Sequence, residues 1–73
     1  MTPQEVAKVY VDLVRLEESI APDQWQAREE VTRLRSKYHD LLAEVFRNAG
    51  IHVTDRFEAA HKAFELVGEA SSG

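Results

Sequence analysis

The sequence predicts an all-α protein: an antiparallel helical hairpin with a shorter third helix, forming a small three-helix bundle whose central helix is the longest. The residues between Pro22 and Gly50 contain no further Pro or Gly. Apolar residues recur at alternating spacings of three and four in three segments, which is typical of helices that bury one face. Pro or Gly stands between the segments, where helices begin and end.

The first helix is predicted over residues 3–20. Thr2 can cap it, Pro3 suits the first helical position, and Glu5 completes a capping box. The series at three-and-four spacing, which we call the α1 seam, comprises Val6, Val9, Leu13, Leu16 and Ile20. Further apolar residues widen the arc beyond what one neighbouring helix buries: Ala7, Tyr10, Val11 and Val14.

A short turn is expected just before Pro22, because the residue that precedes a Pro is pushed out of helical conformation. Helices joined by so short a connection are antiparallel neighbours. In the expected pairing Leu13 lies near Val31, and Glu17 lies opposite Arg28.

The second helix is predicted over residues 22–49. Pro22 suits its first position, Asp23 meets the positive end of the helix dipole, and Gly50 can take the left-handed conformation that ends a helix. Its seam comprises Ala27, Val31, Leu34, Tyr38, Leu41 and Val45. The flank beside this seam carries Arg28 and Arg35 in the first half, but Leu42 and Phe46 in the second. We therefore expect two helical neighbours for the second half and one for the first.

The third helix is predicted over residues 55–67, capped by Thr54 and ended by Gly68. In the connection before it, Ile51 and Val53 are expected to point inward and His52 outward. Its seam comprises Phe57, Ala60, Phe64 and Val67. This helix should cover the second half of the central helix, with Phe57 and Phe64 against Tyr38, Leu42 and Phe46. Residues 1–68 then form a single domain, and residues 69–73 a flexible tail.

Composition restricts the function. The 73 residues include no Cys and carry a net charge of −4, and an acidic balance argues against the phosphate neutralisation that nucleic-acid binding needs. No apolar run is long enough to span a bilayer, and the N-terminus lacks the layout of a secretory signal. We expect a cytoplasmic protein with no membrane contact and no cofactor.

The half of the hairpin near its turn is expected to lack a third layer and to expose apolar surface, which is typical of an interface. The predicted partner-binding residues are Val11, Val14, Trp25, Arg28 and Arg35, since Trp and Arg dominate binding energy in many interfaces. Alternatively, Trp25 folds over Ile20 and closes the turn. The sequence predicts a non-enzymatic interaction protein that forms a homodimer or docks on a larger protein. A small regulator, inhibitor, antitoxin or immunity-type protein fits this description.

A metal-binding bundle assembled by dimerisation is one alternative. Glu58 and His61 have the Glu-x-x-His spacing of carboxylate-bridged di-metal bundles, and Glu65 lies one turn further. A complete site needs further carboxylates from other helices. The simpler interpretation is a solvated helix in which Glu58 pairs with Lys62 at i,i+4.

Two further patterns are considered. Residues 42–62 have the layout of a helix-turn-helix, but the third helix lacks the basic side chains that read base edges. Ser36, His39 and Asp40 are the residue types of a hydrolytic triad, but on one helix they radiate outward with no oxyanion donors. We therefore expect no catalytic residues, and no role for His39 or His52.

Overall fold

The computed structural model describes residues 2–72, with side chains for residues 2–68. Three helices, α1 (Pro3–Ser19), α2 (Trp25–Asn48) and α3 (Arg56–Ser72), account for nearly all of it. Each helix contacts both of the others, and residues 2–72 contain no strand. The prediction of an all-α bundle with the central helix longest is confirmed.

The N-terminus of α1 is capped as predicted. The Thr2 hydroxyl oxygen accepts a hydrogen bond from the Glu5 N–H at 3.1 Å, and Pro3 occupies the first turn. At the other end, the Ile20 N–H donates to the Glu17 carbonyl at 3.3 Å, and the chain then leaves the helix.

The prediction that Pro22 begins α2 was wrong. The Gln24 N–H donates to the Ala21 carbonyl at 3.0 Å, so Pro22 is the second residue of a tight turn, and α2 begins at Trp25. The φ angle of Pro suits a turn and a first helical position equally well, and the sequence alone does not separate the two.

This later start changes how α1 and α2 pair. Glu17 contacts Thr32, whose hydroxyl donates to its carboxylate at 3.0 Å, and Arg35, whose Nε lies 3.4 Å from the same oxygen. The expected pairing of Glu17 with Arg28 was therefore wrong by one to two helical turns.

The end of α2 agrees with the prediction. Gly50 has φ of +81°. Its N–H donates to the Arg47 carbonyl at 3.1 Å, and the Ile51 N–H donates to the Phe46 carbonyl at 2.8 Å. This pair of bonds is the Schellman motif, which needs a left-handed residue that Gly supplies without steric cost. In the connection that follows, Val53 is buried and His52 exposed, as expected.

Both boundaries of α3 differ from the prediction. Asp55, not Thr54, caps the helix, because its Oδ1 accepts from the Glu58 N–H at 2.9 Å. Gly68 does not end the helix, which continues to Ser72. Gly adopts helical angles at a cost of only about 1 kcal/mol, so it need not stop a helix. The predicted flexible tail covers residues 69–73, of which Gly73 and the side chains of 69–72 lie outside the described residues.

The core lies at one end of the hairpin. We call the end where α1 begins and α2 finishes the open end, and the end at residues 20–24 the tip. Of α1 and α2, no residue from 12 to 41 is fully buried. The fully or almost fully buried side chains are Val6, Ala7, Tyr10, Val11, Leu42, Phe46, Val53, Ala59 and Ala63. As expected, α3 covers the second half of α2.

The buried face of α3 is not the predicted seam. Ala59 and Ala63 are completely buried, whereas Phe57 is 79% exposed and Phe64 44%. Since residues follow one another by 100° around a helix, the buried face is rotated by about 100° from the seam. The expectation that the two Phe side chains pack on Leu42 and Phe46 was therefore wrong. The small Ala side chains leave room for α3 to lie close to the hairpin in a closely packed core.

In α1 and α2 the buried face is also rotated away from the predicted seam. In α1 the buried residues are Val6, which belongs to the seam, and Ala7, Tyr10 and Val11, which lie about a third of a turn from it. In α2 the buried Leu42 and Phe46 share a stripe with Arg35, about a quarter of a turn from the seam. The regular apolar series of both helices is thus only partly used by the fold.

Candidate docking surface on the helical hairpin

Four rings mark the edge at which α3 stops covering the hairpin. The ring centroids of Phe57 and His39 lie 6.4 Å apart, those of His39 and Tyr10 5.3 Å, and those of Tyr10 and Phe64 6.2 Å. This aromatic row passes from α3 over α2 and α1 and back to α3. It shows that α3 crosses both hairpin helices near Tyr10 and His39 and leaves the tip half, residues 12–34, uncovered.

Polar contacts fix the start of α3 at the same place. The Nε2 atom of His39 lies 2.7 Å from the Arg56 carbonyl oxygen, to which it donates. The Nε atom of Arg56 lies 3.2 Å from Oδ1 of Asp40. Two of the three residues considered for a triad therefore hold α3 in place, and Ser36, the third, is exposed.

His39 is a residue whose role the sequence analysis missed. It lies three positions before Leu42 and seven before Phe46, on the stripe of α2 that the core uses. That spacing was the available signal. In the sequence this stripe is less evident than the more regular seam of α2, which is therefore the predicted buried face.

In the tip half, the seams of α1 and α2 lie on the face of the hairpin away from α3. Viewed down the axis of α2, His39 and Asp40 lie to one side of Leu42 and contact α3. Leu34 and Leu41 lie to the other side of Leu42. Viewed down the axis of α1, the fully buried Ala7 and Val11 lie to one side of Tyr10. The residues of the α1 seam lie to the other side. Because the two helices are antiparallel, both seams share one face. This seam face comprises Val9, Leu13, Leu16, Val31 and Leu34. The other end of the seams belongs to the core, where Val6 is fully buried and Tyr38, Leu41 and Val45 pack.

The seam face is open to solvent in the tip half. Leu16 is 48% exposed and Leu34 45%, and Leu13 and Val31 between them are half-buried. A large apolar side chain that stays half in water at regular helical spacing is the pattern of a helix surface that packs against another helix.

The five predicted partner-binding residues do not form one surface. The prediction that Val11 is available to a partner was wrong, since Val11 is fully buried in the core, and Val14 packs against that core. Arg35 is held by the largely buried Glu17. Trp25 and Arg28 are exposed one turn apart on the α3 side of the tip half.

Trp25 is not folded away over the turn. It is the first residue of α2, and 62% of it is exposed. Its helix end has no side-chain cap, because Gln24 at the capping position makes no such hydrogen bond. If Trp25 packed on Ile20 and closed the turn, less of its ring would be exposed than the structure shows.

The three metal-ligand candidates are engaged with other groups. The Glu58 carboxylate accepts from the Thr54 hydroxyl and from the Thr54 N–H, the latter at 3.2 Å. The hydroxyl first, and then the amide, lower the pKa of Glu58, because both stabilise the charged carboxylate. His61 Nε2 lies 3.1 Å from Oε1 of Glu65, and Lys62 Nζ lies 3.6 Å from Oε2. The expected Glu58–Lys62 pair is thus replaced by a Glu65–Lys62 pair.

Among the described side chains, no three His, Asp or Glu groups come together in a way that could hold a metal ion. On α3, the helix that a helix-turn-helix would present to DNA, the negative charges of Glu58 and Glu65 offset the positive charges of Arg56 and Lys62. Neither alternative gains a specific geometric feature from the fold.

No helix within residues 2–72 has a segment long and apolar enough to cross a membrane. Scans against protein-family models, curated proteins and solved structures find no match to this chain.

Proposed function

We propose that this protein is a non-enzymatic protein–protein interaction module that acts through the tip half of its hairpin and does so as a homodimer. The observation that carries the proposal is the pair of large apolar side chains left half in water on the seam face there, Leu16 and Leu34; Trp25, which is also exposed, lies on the α3 side. Isolated exposed apolar residues are ordinary, but a helical stripe of them is typical of an interface.

The short chain fits this proposal, because its buried core is small and confined to the open end of the hairpin. Chains of this size often complete their core by oligomerisation.

The chemistry of the surface favours a protein partner. The tip half combines apolar side chains with charges of both signs, of which Glu17 already pairs with Arg35 at its border. A small regulator or inhibitor of another protein, or an antitoxin or immunity-type protein, would use a surface of this kind. The cytoplasmic location stays a prediction.

Sedimentation equilibrium of the wild type from micromolar to sub-millimolar concentration tests the proposal. We expect an average mass that rises from 8.3 kDa towards twice that value. A Phe57→Asp variant is the control, because Phe57 is the most exposed large apolar side chain outside the tip half; it should dimerise like the wild type. A wild type that stays monomeric at every concentration would overturn the proposal. So would a Phe57→Asp variant that is monomeric at concentrations where the wild type is a dimer.

A further inference from the structure

We infer that the tip half of the hairpin opens as a unit while the open end stays folded. The Glu17 cluster, by which we mean Glu17, Thr32 and Arg35, keeps the tip half closed. This opening goes beyond the proposed function, because it concerns the motion of a single chain and not what that chain binds.

Burial divides the hairpin into two parts of unequal stability. In α1 and α2 the fully buried side chains all lie at the open end, where α3 crosses the hairpin. No residue from 12 to 41 is fully buried, and every residue from 21 to 30 is exposed. Segments with few buried apolar contacts open at a lower free energy than the core to which they are attached. The tip half should therefore open more readily than the open end.

The ends of the helices divide the hairpin in the same way. At the open end, α1 has its Thr2 cap, and α2 has Arg47 in its last turn and Gly50 after it. At the tip, the last turn of α1 contains no basic residue but two acidic ones, Glu17 and Glu18, which are unfavourable beside the negative end of the helix dipole. The first turn of α2 has neither a side-chain cap nor an acidic residue.

The helical structure of the tip half therefore depends on contact between α1 and α2. Short helical segments without tertiary contacts are only marginally stable in water. Once the two segments separate, the backbone hydrogen bonds of both become available for exchange with solvent.

The Glu17 cluster supplies the polar part of this contact. The Glu17 side chain is only 14% exposed. It accepts a hydrogen bond from the Thr32 hydroxyl at 3.0 Å and lies 3.4 Å from Nε of Arg35. Within the described residues, no other side-chain hydrogen bond or ion pair joins α1 to α2. Because opening returns the carboxylate to water, loss of either partner weakens the closed state alone.

Opening would remove the docking surface, and this consequence alone rests on the proposed function. Leu16 belongs to α1 and Leu34 to α2. Both lie half in water on the seam face while the tip half is closed. Once the helices separate, the two side chains no longer share a surface. The Glu17 cluster thus controls whether the surface exists, although none of its residues belongs to the seam face.

Hydrogen–deuterium exchange of the dilute, monomeric protein tests the opening, with residue resolution from electron-transfer fragmentation in the mass spectrometer. After correction for intrinsic rates, we expect tip amides to exchange about tenfold faster than open-end amides. All the compared amides lie within about two turns of a helix end, so their distance from an end does not separate them. The tip set is residues 14–18 and 29–32, and the open-end set is residues 8–10 and 42–46. Equal protection of the two sets overturns the inference.

Two substitutions that each remove one charge test the Glu17 cluster. Glu17→Gln keeps the shape of the side chain and loses the ion pair with Arg35. It should raise the exchange rates of the tip set about tenfold and leave those of the open-end set within about twofold. Glu18→Gln is the matched control, because it makes the same change at the next residue, which is exposed. Its tip set should exchange as in the wild type, or more slowly.

Thr32→Val is a milder variant, which removes the hydroxyl and keeps both charges of the cluster. It should accelerate the tip set by a smaller factor than Glu17→Gln does. If neither Glu17→Gln nor Thr32→Val changes the tip set, or if both accelerate the two sets equally, the role of the Glu17 cluster in a separate opening is overturned.

The outcomes also separate this inference from the proposed function. A protein that dimerises but is equally protected along the whole hairpin when dilute overturns the opening alone. A wild type that stays monomeric at every concentration but exchanges faster in the tip set overturns the proposed function and supports the opening.

Discussion

Glu17 illustrates how single side chains took partners other than those expected. Its carboxylate is largely buried between α1 and α2 and is satisfied by the Thr32 hydroxyl and the Arg35 guanidinium. That a partner would be needed follows from the apolar arc around it, because a buried charge without one is costly. Which Arg supplies it depended on where the turn at Pro22 ends, and local residue preferences do not decide that position.

The capping contacts of Glu58 give a prediction on pH. Its lowered pKa means that the charged carboxylate is favoured by folding, so this stabilisation is present above the pKa of the unfolded chain and is lost as pH falls through the folded pKa. Thr54→Val removes the hydroxyl donor but keeps the amide. The pKa of Glu58 should therefore rise part of the way to its ordinary value, as measured by NMR titration of the side-chain carboxyl.

Thr32→Val is the matched control for this titration. It removes a hydroxyl that donates to Glu17, on another helix. Glu58 should titrate in this variant as in the wild type. If Thr54→Val leaves the pKa of Glu58 unchanged, the hydroxyl of Thr54 is not the main cause of the lowered pKa.

The helices were predictable, and their buried faces were not. Periodicity located all three, because any helix that buries one face repeats its apolar residues. It did not select the buried face where two apolar stripes compete, as Ala59 and Ala63 compete with Phe57 and Phe64 on α3. The larger side chains form the more evident pattern, whereas close packing against two neighbours favoured the smaller ones.

The two internal glycines should respond to substitution in opposite ways. Gly50 ends α2 with a positive φ, so Gly50→Ala should destabilise the protein by about 1 kcal/mol, because an L side chain is strained there whatever the space around it. Gly68 lies within α3 with no atom near an added Cβ. Gly68→Ala should therefore stabilise it by about 0.5–1 kcal/mol.

Chemical denaturation of the two variants beside the wild type measures both effects. Each variant is the control for the other, since both add one methyl group. A stabilising Gly50→Ala would contradict the Schellman geometry, and a destabilising Gly68→Ala would contradict the continuation of α3 to Ser72.

The molecule as a whole is a hairpin with one covered and one uncovered half. This division was predictable from α2 alone, whose flank changes from Arg28 and Arg35 to Leu42 and Phe46. Which residues make up the docking surface was less predictable from the sequence. Val11 was assigned to it because the arc of α1 looked too wide for one neighbour, but α3 crosses α1 as well as α2 and buries that residue.

The comparison of Leu42→Ala with Leu34→Ala tests this division most directly. The two variants make the same chemical change on the same helix, two turns apart. Leu42 is fully buried, so its loss should cost about 2–5 kcal/mol in urea unfolding. Leu34 is half in water, so its loss should cost less than about 1 kcal/mol when the protein is dilute enough to be monomeric.

At high protein concentration the difference in unfolding free energy between Leu34→Ala and the wild type should increase. The reason is that the variant binds the second copy less tightly and so gains less stability from dimerisation. Equal destabilisation by the two variants in the dilute monomer would contradict the account, since it would mean that the tip half is buried within a single chain.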